Sequence, residues 1–378
     1  MGTVTGARKK KTMIENKEIY EQLCLRVPVK QYDADPTDFR GVLQRELKDY
    51  MSLLDWLRSE NKLTDDNVAE VGKTCKKLNE IVTSVYQGLH SRAFTQLSNL
   101  LNGNKKKPSL NSSILIDVLK AKEKPLYRMR RMENRRDVSY MDLFHIPLNK
   151  RGIVNTNRYS APGYPCLYLG TSIYACWEEL GRPPMSQSMV ARLRNDVDIY
   201  LLDLRVPTLG EFSEHMIDYI RIFPLIIACS VKVKDQDATF KPEYSIPQLL
   251  MEYVIHDNVK FKNGPTISGI YYTSVFKNDD FGFGIEKLEN IAIPVQSPLS
   301  SKKYCRKLCD MFMLTKPTCD EMEQIKSGGY ATTEYDAKNS SIVVHQGMVE
   351  GYEYSSFGYL EKRLNDEKLF PVYPIDDK

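Results

Sequence analysis

The stretch Arg158–Gly181, RYSAPGYPCLYLGTSIYACWEELG, decides how this 378-residue chain is interpreted. It begins with Arg and Tyr, turns at Pro162-Gly163, and continues as the strand-like run CLYLG. The segment SIYACWEEL, which has the pattern of a short helix, follows at once. Packing alone does not require an Arg, several Tyr residues and a Glu pair around one strand. The stretch therefore predicts a strand–helix unit that carries functional side chains.

Other short runs rich in Tyr, Ile, Val and Leu recur along the chain. Further strands are predicted for VDIYLLDL at 197–204, PLIIACSVKV at 224–233, GIYYTSVF at 269–276 and NIAIPVQ at 290–296. A helix is predicted for SIPQLLMEYVIH at 245–256, with Pro247 in its first turn. Because these elements do not alternate with a regular βαβ period, we predict an α+β fold with a mixed sheet. The chain also lacks GxGxxG and GxxxxGK[ST] motifs, which argues against dinucleotide-binding Rossmann and P-loop chemistry.

A small antiparallel helical domain precedes these strands. Its first helix is capped by Thr37 or Asp38, its second begins at Thr64, and its third ends at NGNKKKP, residues 102–108. Because it holds no cluster of reactive side chains, we interpret it as an accessory or oligomerisation module. The C-terminal extension is predicted to contain a helix at 302–314 and then strands and loops. The predicted ranges are a loose segment 1–34, a helical domain 35–102, a linker 103–114, a strand-rich domain 115–300 and an extension 301–378.

Composition narrows the class of protein. The 53 Lys and Arg residues against 49 Asp and Glu residues give a net charge of +4, without the basic excess of a nucleic-acid-binding protein. The sequence has no apolar run long enough for a secretory signal or a membrane span, so we expect a cytoplasmic protein without a membrane partner. Cys305, Cys309 and Cys319 lack a CxxC motif and a nearby His, which favours buried thiols over a metal site.

Four segments together resemble the RES-domain family, which is named for an Arg, a Glu and a Ser. The resemblance covers residues 115–300 and keeps the order and approximate spacing of the family's elements. In the family, an Arg-aromatic element and a Gly-Pro turn precede a YLA-like strand, the next helix carries the Glu, and a later strand supplies the Ser. Gly170 stands where the family's strand commonly has Ala. The matching segments are PLYRM at 125–129, Arg158–Gly181, EYSIPQLLMEYV at 243–254 and ISGIYYTSVF at 267–276.

The resemblance implies a set of site residues. The Arg-aromatic element falls either on Arg158-Tyr159 or on Tyr127-Arg128, and both stay open. Glu179, eleven residues after Tyr168, fits the family's spacing better than Glu178. Since neighbours on a helix lie about 100° apart, we expect one of the two glutamates to be exposed. The implied catalytic residues are Glu179, Arg158, Tyr168 and Ser274, and the implied nucleotide-binding residues are Arg128, Tyr127, Tyr159 and Glu178.

The resemblance also implies an ADP-ribosyltransferase-like fold and an enzyme that cleaves the bond between nicotinamide and ribose in NAD, which is its substrate; no separate cofactor is expected. The residue types suit this chemistry. A carboxylate such as Glu179 stabilises the positive charge that develops on the ribose. Arg158 or Arg128 would bind the pyrophosphate in a bidentate manner, and Tyr168 or Tyr159 would stack on the nicotinamide ring. Ser274 would fix the reacting geometry by a hydrogen bond.

The expected function is therefore that of an NAD glycohydrolase or phosphorylase, with water or inorganic phosphate as acceptor. Family membership would imply a toxin or antiviral-defence effector that depletes NAD and is restrained by an antitoxin or another regulatory protein. A homo-oligomer is compatible with this reading. Two alternatives stay open: transfer of ADP-ribose to a macromolecule, and an inactive interaction module in which the helical domain binds a partner.

Overall fold

The computed structural model describes residues 16–31, 37–102, 116–132, 138–256, 266–276, 287–296, 303–320, 322–323 and 352–372. The chain divides into two compact units, Met1–Ile116 with Leu202–Gly264, and Asp117–Leu201 with Pro265–Lys378. The predicted linker at 103–114 lies outside the described residues.

The helices and strands of the described residues are numbered in chain order. The helices are α1 (16–24), α2 (Phe39–Ser59), α3 (Asp65–Tyr86), α4 (His90–Asn102), α5 (Ile173–Glu179), α6 (Leu209–Glu214), α7 (Met216–Cys229), α8 (Ser245–His256), α9 (Arg306–Met311) and α10 (Ser356–Asp366). The strands are β1 (Ile116–Leu119), β2 (Leu126–Arg131), β3 (Cys166–Gly170), β4 (Ser188–Asn195), β5 (Ile199–Leu204), β6 (Ile267–Thr273), β7 (Glu289–Pro294), β8 (Phe312–Leu314) and β9 (Phe370–Pro371).

The first unit is helical, and its helices begin where side-chain caps predict. Asp38 accepts a hydrogen bond of 3.0 Å from the Gly41 amide at the start of α2. Thr64 and Asn67 cap α3 reciprocally, each side chain accepting from the other residue's amide. Helices α3 and α4 pack against α7 and α8, which come from later in the chain. This unit therefore includes residues that the predicted domain boundaries assigned to the strand-rich domain; those boundaries stay a prediction.

Two features of this unit differ from expectation. The run PLIIACSVKV was predicted as a strand, and that prediction is wrong, because residues 224–229 form the end of α7. The side chains from Pro224 to Cys229 are all buried, so the segment has no polar face to reveal a helical period. The segment 1–34, predicted to be loose, contains α1, whose Ile19 and Leu23 are buried.

Among the described residues, nine strands form a mostly antiparallel sheet in the order β1-β5-β6-β7-β3-β2-β4-β8-β9, and most of this sheet lies in the second unit. Pairings recorded for β2 with β3 and β4, and for β7 with β3 and β6, are antiparallel. The predicted strands at CLYLG, VDIYLLDL, GIYYTSVF and NIAIPVQ are confirmed as β3, β5, β6 and β7. The predicted α+β class is therefore confirmed.

At the centre of the sheet, β7 lies between β6 and β3. Gly170 of β3 and Tyr272 of β6 are both in register with Asn290 of β7. Helix α5 leaves β3 immediately after Gly170, with Ser172 as its cap. The end of α5, the end of β6 and the start of β7 consequently meet at one end of these central strands.

The C-terminal extension differs from the prediction at two places. The helix predicted for 302–314 is shorter, because Phe312–Leu314 pairs with β4 as β8. Ser356–Asp366 lies in a segment predicted as strands and loops, and it forms α10; that prediction is wrong there. Buried Phe357, Leu360 and Leu364 have helical spacing, a signal masked by the surrounding Gly and Tyr residues. Residues 324–351 lie outside the described part of the chain.

Two other expectations concern burial and hydropathy. Cys305, Cys309 and Cys319 are buried, as predicted for thiols that pack in a core. Across the described residues, none of the helices combines the length and the apolar composition that crossing a membrane requires.

Candidate active site

Two polar side chains from the sheet region bind the carboxylate of Glu179, which lies at the centre of the candidate site. Its Oε1 accepts a hydrogen bond of 2.7 Å from Ser274 Oγ and one of 2.9 Å from Asn290 Nδ2. Glu179 is the last residue of α5, Ser274 follows β6, and Asn290 lies on β7. Two of the residues that the sequence proposed for the site, Glu179 and Ser274, are thus in direct contact.

Ser274 is oriented by the backbone around it. It is 1% exposed, its amide donates to the Leu288 carbonyl at 2.7 Å, and its Oγ accepts from the Phe276 amide at 3.1 Å. Because the hydroxyl already accepts from Phe276, its own proton is directed at Glu179. Ser274 therefore acts as a fixed donor to the carboxylate.

Opposing effects act on the ionisation of Glu179. Burial raises the pKa of this carboxyl above its ordinary value. The hydrogen bond from Ser274 and the positive charge of Arg158 lower the pKa, and the negative charge of Glu178 raises it. The site thus holds a desolvated carboxyl whose charged form is favoured by two neighbours, an arrangement that is common at functional sites.

Glu178 has a different partner from Glu179. Its carboxylate accepts two hydrogen bonds of 3.0 Å from the Arg182 guanidinium, and its side chain is only 3% exposed. The expectation that one of the two glutamates is exposed is wrong, because this bidentate pair satisfies Glu178 below the surface. Of the two, Glu179 is the residue that joins Ser274.

Arg158 and Tyr159 form the tip of a tight turn. The backbones of Asn157 and Ser160 exchange hydrogen bonds of 3.0 and 3.2 Å, which places the two residues between them. Arg158 is 8% exposed and close enough to Glu179 for its charge to lower that pKa. The Tyr159 ring lies against the Tyr272 ring at 4.6 Å between centroids, tilted by 50°. The turn thus places a cation near Glu179 and packs Tyr159 against Tyr272.

Tyr168 connects this turn to the other candidate Arg. Its hydroxyl is 3.0 Å from Ser160 Oγ, and its carbonyl accepts a hydrogen bond of 2.7 Å from Arg128 Nη1. Arg128 Nε is buried and has no hydrogen-bond partner among the described residues. Burial, helped by the charge of Arg130, lowers the pKa of Arg128 to about 10. A buried guanidinium with unused hydrogen-bonding capacity has the chemistry that an anionic ligand would satisfy.

Tyr127 does not join this group. It is 1% exposed, packs in an apolar cluster with Trp177 and Phe357, and donates from its hydroxyl to Asn365 Oδ1 at 3.1 Å. The structure therefore gives Tyr127 a packing position, in contrast to the nucleotide-binding one that the sequence considered for it.

Two residues of the site were missed by sequence reasoning. Asn290 is 4% exposed on β7 and binds Glu179, and its signal was a single amide side chain in the apolar run NIAIP. Polar side chains that are buried in strands need partners, so this Asn could have indicated a polar contact. The Tyr272 ring packs against the Tyr159 ring, and burial, followed by the negative charge of Glu179, raises the pKa of Tyr272 well above the ordinary value.

A cavity of about 830 Å³ lies elsewhere, in the helical unit. Its walls are charged and amide side chains, including Arg40, Lys76, Asn79 and Gln96. Sites for small molecules are mostly apolar with a few converging polar groups, so this lining does not have that character. The convergence of side chains on Glu179 is the stronger indication of function.

Comparison with known proteins finds a similarity to a protein that is named as a toxin. The chain is 28% identical over 353 residues to the protein named "Putative toxin YopC" of Bacillus subtilis (strain 168), and the alignment covers 89% of this chain and 78% of that protein. No family model and no solved structure matches the chain. The similarity therefore connects this chain to a protein named as a toxin.

Proposed function

We propose that this chain cleaves the nicotinamide–ribose bond of NAD and acts as a toxin by depleting NAD. The observation that carries the proposal is the carboxylate of Glu179, which is desolvated and held by Ser274 and Asn290 beside the cation Arg158. The Glu and the Ser of this grouping are those that the sequence resemblance to the RES-domain family implies, and Arg158 is one of its two candidates for the Arg.

The chemistry follows from where charge develops. When the bond between nicotinamide and ribose breaks, its electron pair leaves with the ring nitrogen, and positive charge builds on the ribose. An ionised Glu179 stabilises that charge, and its two donors keep the carboxylate fixed, so little reorganisation is needed. Water or inorganic phosphate then bonds to the ribose carbon, and the proton released from water passes to solvent.

The other site residues have roles in binding. Tyr168 is only partly buried, unlike Tyr159 and Tyr272, and the aromatic surface that it keeps suits stacking with the nicotinamide ring. Arg128 retains a buried Nε without a partner among the described residues, and Arg158 lies near Glu179. We assign the pyrophosphate mainly to Arg128, because the charge of Arg158 is already directed at the carboxylate.

The toxin role is supported by the name of the Bacillus subtilis relative. An enzyme that consumes NAD must be restrained in the cell that makes it, so an antitoxin or other regulatory protein is the expected partner. Induced expression of the wild type should lower cellular NAD and stop growth. The Glu179→Gln variant, produced at the same level, should do neither.

The activity is tested with purified protein and NAD labelled in its adenylate half. Free nicotinamide with labelled ADP-ribose indicates a glycohydrolase, and a phosphorylated ADP-ribose that forms only with added phosphate indicates a phosphorylase. Label that appears on protein or nucleic acid from a cell extract would instead show an ADP-ribosyltransferase. If NAD stays intact under all of these conditions, the proposal is wrong and the chain is an interaction module.

A further inference from the structure

Helix α5 is short and carries Glu179 at its end. It contains seven residues, Ile173–Glu179, and is therefore about 10 Å long. A helix of two turns moves as one body, so a displacement of Ile173 is passed to Glu179. The contacts that hold the start of α5 therefore influence the position of the carboxylate.

The start of α5 is held by a carboxylate from the C-terminal helix. The Ile173 amide donates a hydrogen bond of 2.7 Å to Oε1 of Glu361 on α10. The Tyr352 hydroxyl donates to the same oxygen. Ser172 completes the attachment, because its Oγ accepts from the Ala175 amide at 2.9 Å and donates to the Lys287 carbonyl. Glu361 satisfies an amide that the helix itself leaves without a partner.

The rest of α10 packs on the same elements. The Phe357 ring lies 5.4 Å from the Tyr174 ring and 5.3 Å from the Trp177 ring, both on α5. Farther along, Asn365 accepts from Tyr127, the neighbour of Arg128 on β2. One helix from the C-terminal extension thus contacts α5, which carries Glu179, and β2, which carries Arg128.

The charge of Glu361 is compensated at this position. Burial raises the pKa of its carboxyl, and the hydrogen bonds from Tyr352 and Ile173 and the charge of Lys287 lower it. Hydrogen bonds to a charged acceptor are about twice as strong as those between neutral groups. An ionised Glu361 therefore holds α5 more firmly than a neutral acceptor would.

We infer that Glu361, on α10, is a positioning residue for Glu179. The inference rests on the proposed NAD-cleaving function for its kinetic consequence, whereas its structural consequence is independent of that function. It assigns a role to the C-terminal extension, which lies beyond the sequence resemblance.

The test compares Glu361→Ala and Glu361→Gln with two controls from the same helix. Lys362→Ala changes an exposed neighbour, and Leu364→Ala removes a fully buried side chain from the cluster around Phe357 without touching the carboxylate.

We expect Glu361→Ala to lower kcat for NAD cleavage about 10- to 100-fold with KM changed less than about threefold, the signature of a misplaced catalytic group. Glu361→Gln keeps an acceptor for Ile173 and should recover part of kcat. Leu364→Ala should lose thermal stability and keep kcat per folded molecule.

Hydrogen exchange gives a readout that does not need turnover. At conditions where Glu361→Ala and Leu364→Ala have equal global stability, amides of residues 173–180 should exchange at least about 10-fold faster in Glu361→Ala. Equal exchange in the two variants would overturn the inference. Normal kcat in folded Glu361→Ala would also overturn it. If the wild type leaves NAD intact, the proposed function fails, and the exchange comparison still decides whether Glu361 positions α5.

Discussion

Ser274 Oγ donates a hydrogen bond of 2.7 Å to Glu179 Oε1, although the two residues are 95 positions apart in the chain. The contact joins the end of α5 to the end of β6, and Asn290 of β7 binds the same oxygen. Nothing in local structure brings these residues together; the sheet order β6-β7-β3 does so. The ionisation and orientation of Glu179 consequently depend on the folded sheet.

Removal of the Ser274 hydroxyl should change the pH dependence of turnover. The pKa of Glu179 lies above its ordinary value of 4.5 because of burial, and the Ser274 hydrogen bond lowers it. Ser274→Ala removes that effect, so the pKa rises further and less carboxylate is ionised at a given pH. The proposed mechanism requires the ionised form, so as the pH is lowered, kcat of the variant should begin to fall at a higher pH than kcat of the wild type. The acid side of the kcat profile measures this, and a profile that does not move would contradict the account.

The pH profile of kcat should also distinguish the roles of the two candidate arginines, Arg158 and Arg128. Arg158 lowers the pKa of Glu179 through its charge, so Arg158→Gln should move the acid side of the kcat profile to higher pH. Arg128 binds the Tyr168 carbonyl, whereas Arg158 is the arginine whose charge lowers the pKa of Glu179, so Arg128→Gln should leave the profile in place. Because Arg128→Gln removes the proposed contact with the pyrophosphate, it should instead raise KM for NAD roughly 10- to 100-fold. The opposite pattern would exchange the two assignments.

Gly170 gives a prediction about stability. A Cβ at this position would lie 2.8 Å from both the Ser172 carbonyl oxygen and Cys176 Sγ. Because β3 turns directly into α5 here, the backbone oxygen can move only with the helix. Gly170→Ala should therefore lower the free energy of unfolding by about 1–3 kcal/mol and also impair turnover. Gly152→Ala is the matched control, since a Cβ there meets no atom within 4 Å. Urea denaturation measures the free energy of unfolding of both variants, and equal values would refute the argument.

The sequence predicted local parts of the fold well. The strand and helix of Arg158–Gly181 and the caps at Asp38 and Thr64 agree with the structure. Each depends on signals within about a dozen residues, namely strand composition, helical pattern and cap chemistry. The choice of Glu179 over Glu178 came from the family resemblance; the structure places Glu179 beside Ser274, and its catalytic role stays a prediction.

The parts that the sequence did not predict depend on long-range contacts. Asn290 becomes a site residue only because β7 lies between β3 and β6. The helix at 224–229 is buried on all sides, and so its period is invisible in the sequence. Glu361 lies 188 positions from the Ile173 amide that it binds, beyond the range of any motif. The positioning role that we propose for Glu361 could therefore be inferred only from the folded chain.

The most direct test of the central claim measures nicotinamide released from NAD by the wild type, Glu179→Gln and Glu178→Gln, each normalised to folded protein. Glu179 accepts from Ser274 and Asn290, whereas Glu178 is paired with Arg182, so the two variants differ only in which adjacent carboxylate is neutralised. The account predicts that Glu179→Gln loses at least about 100-fold in rate, whereas Glu178→Gln stays within about threefold of the wild type. Equal rates for Glu179→Gln and the wild type, or a loss confined to Glu178→Gln, would contradict it.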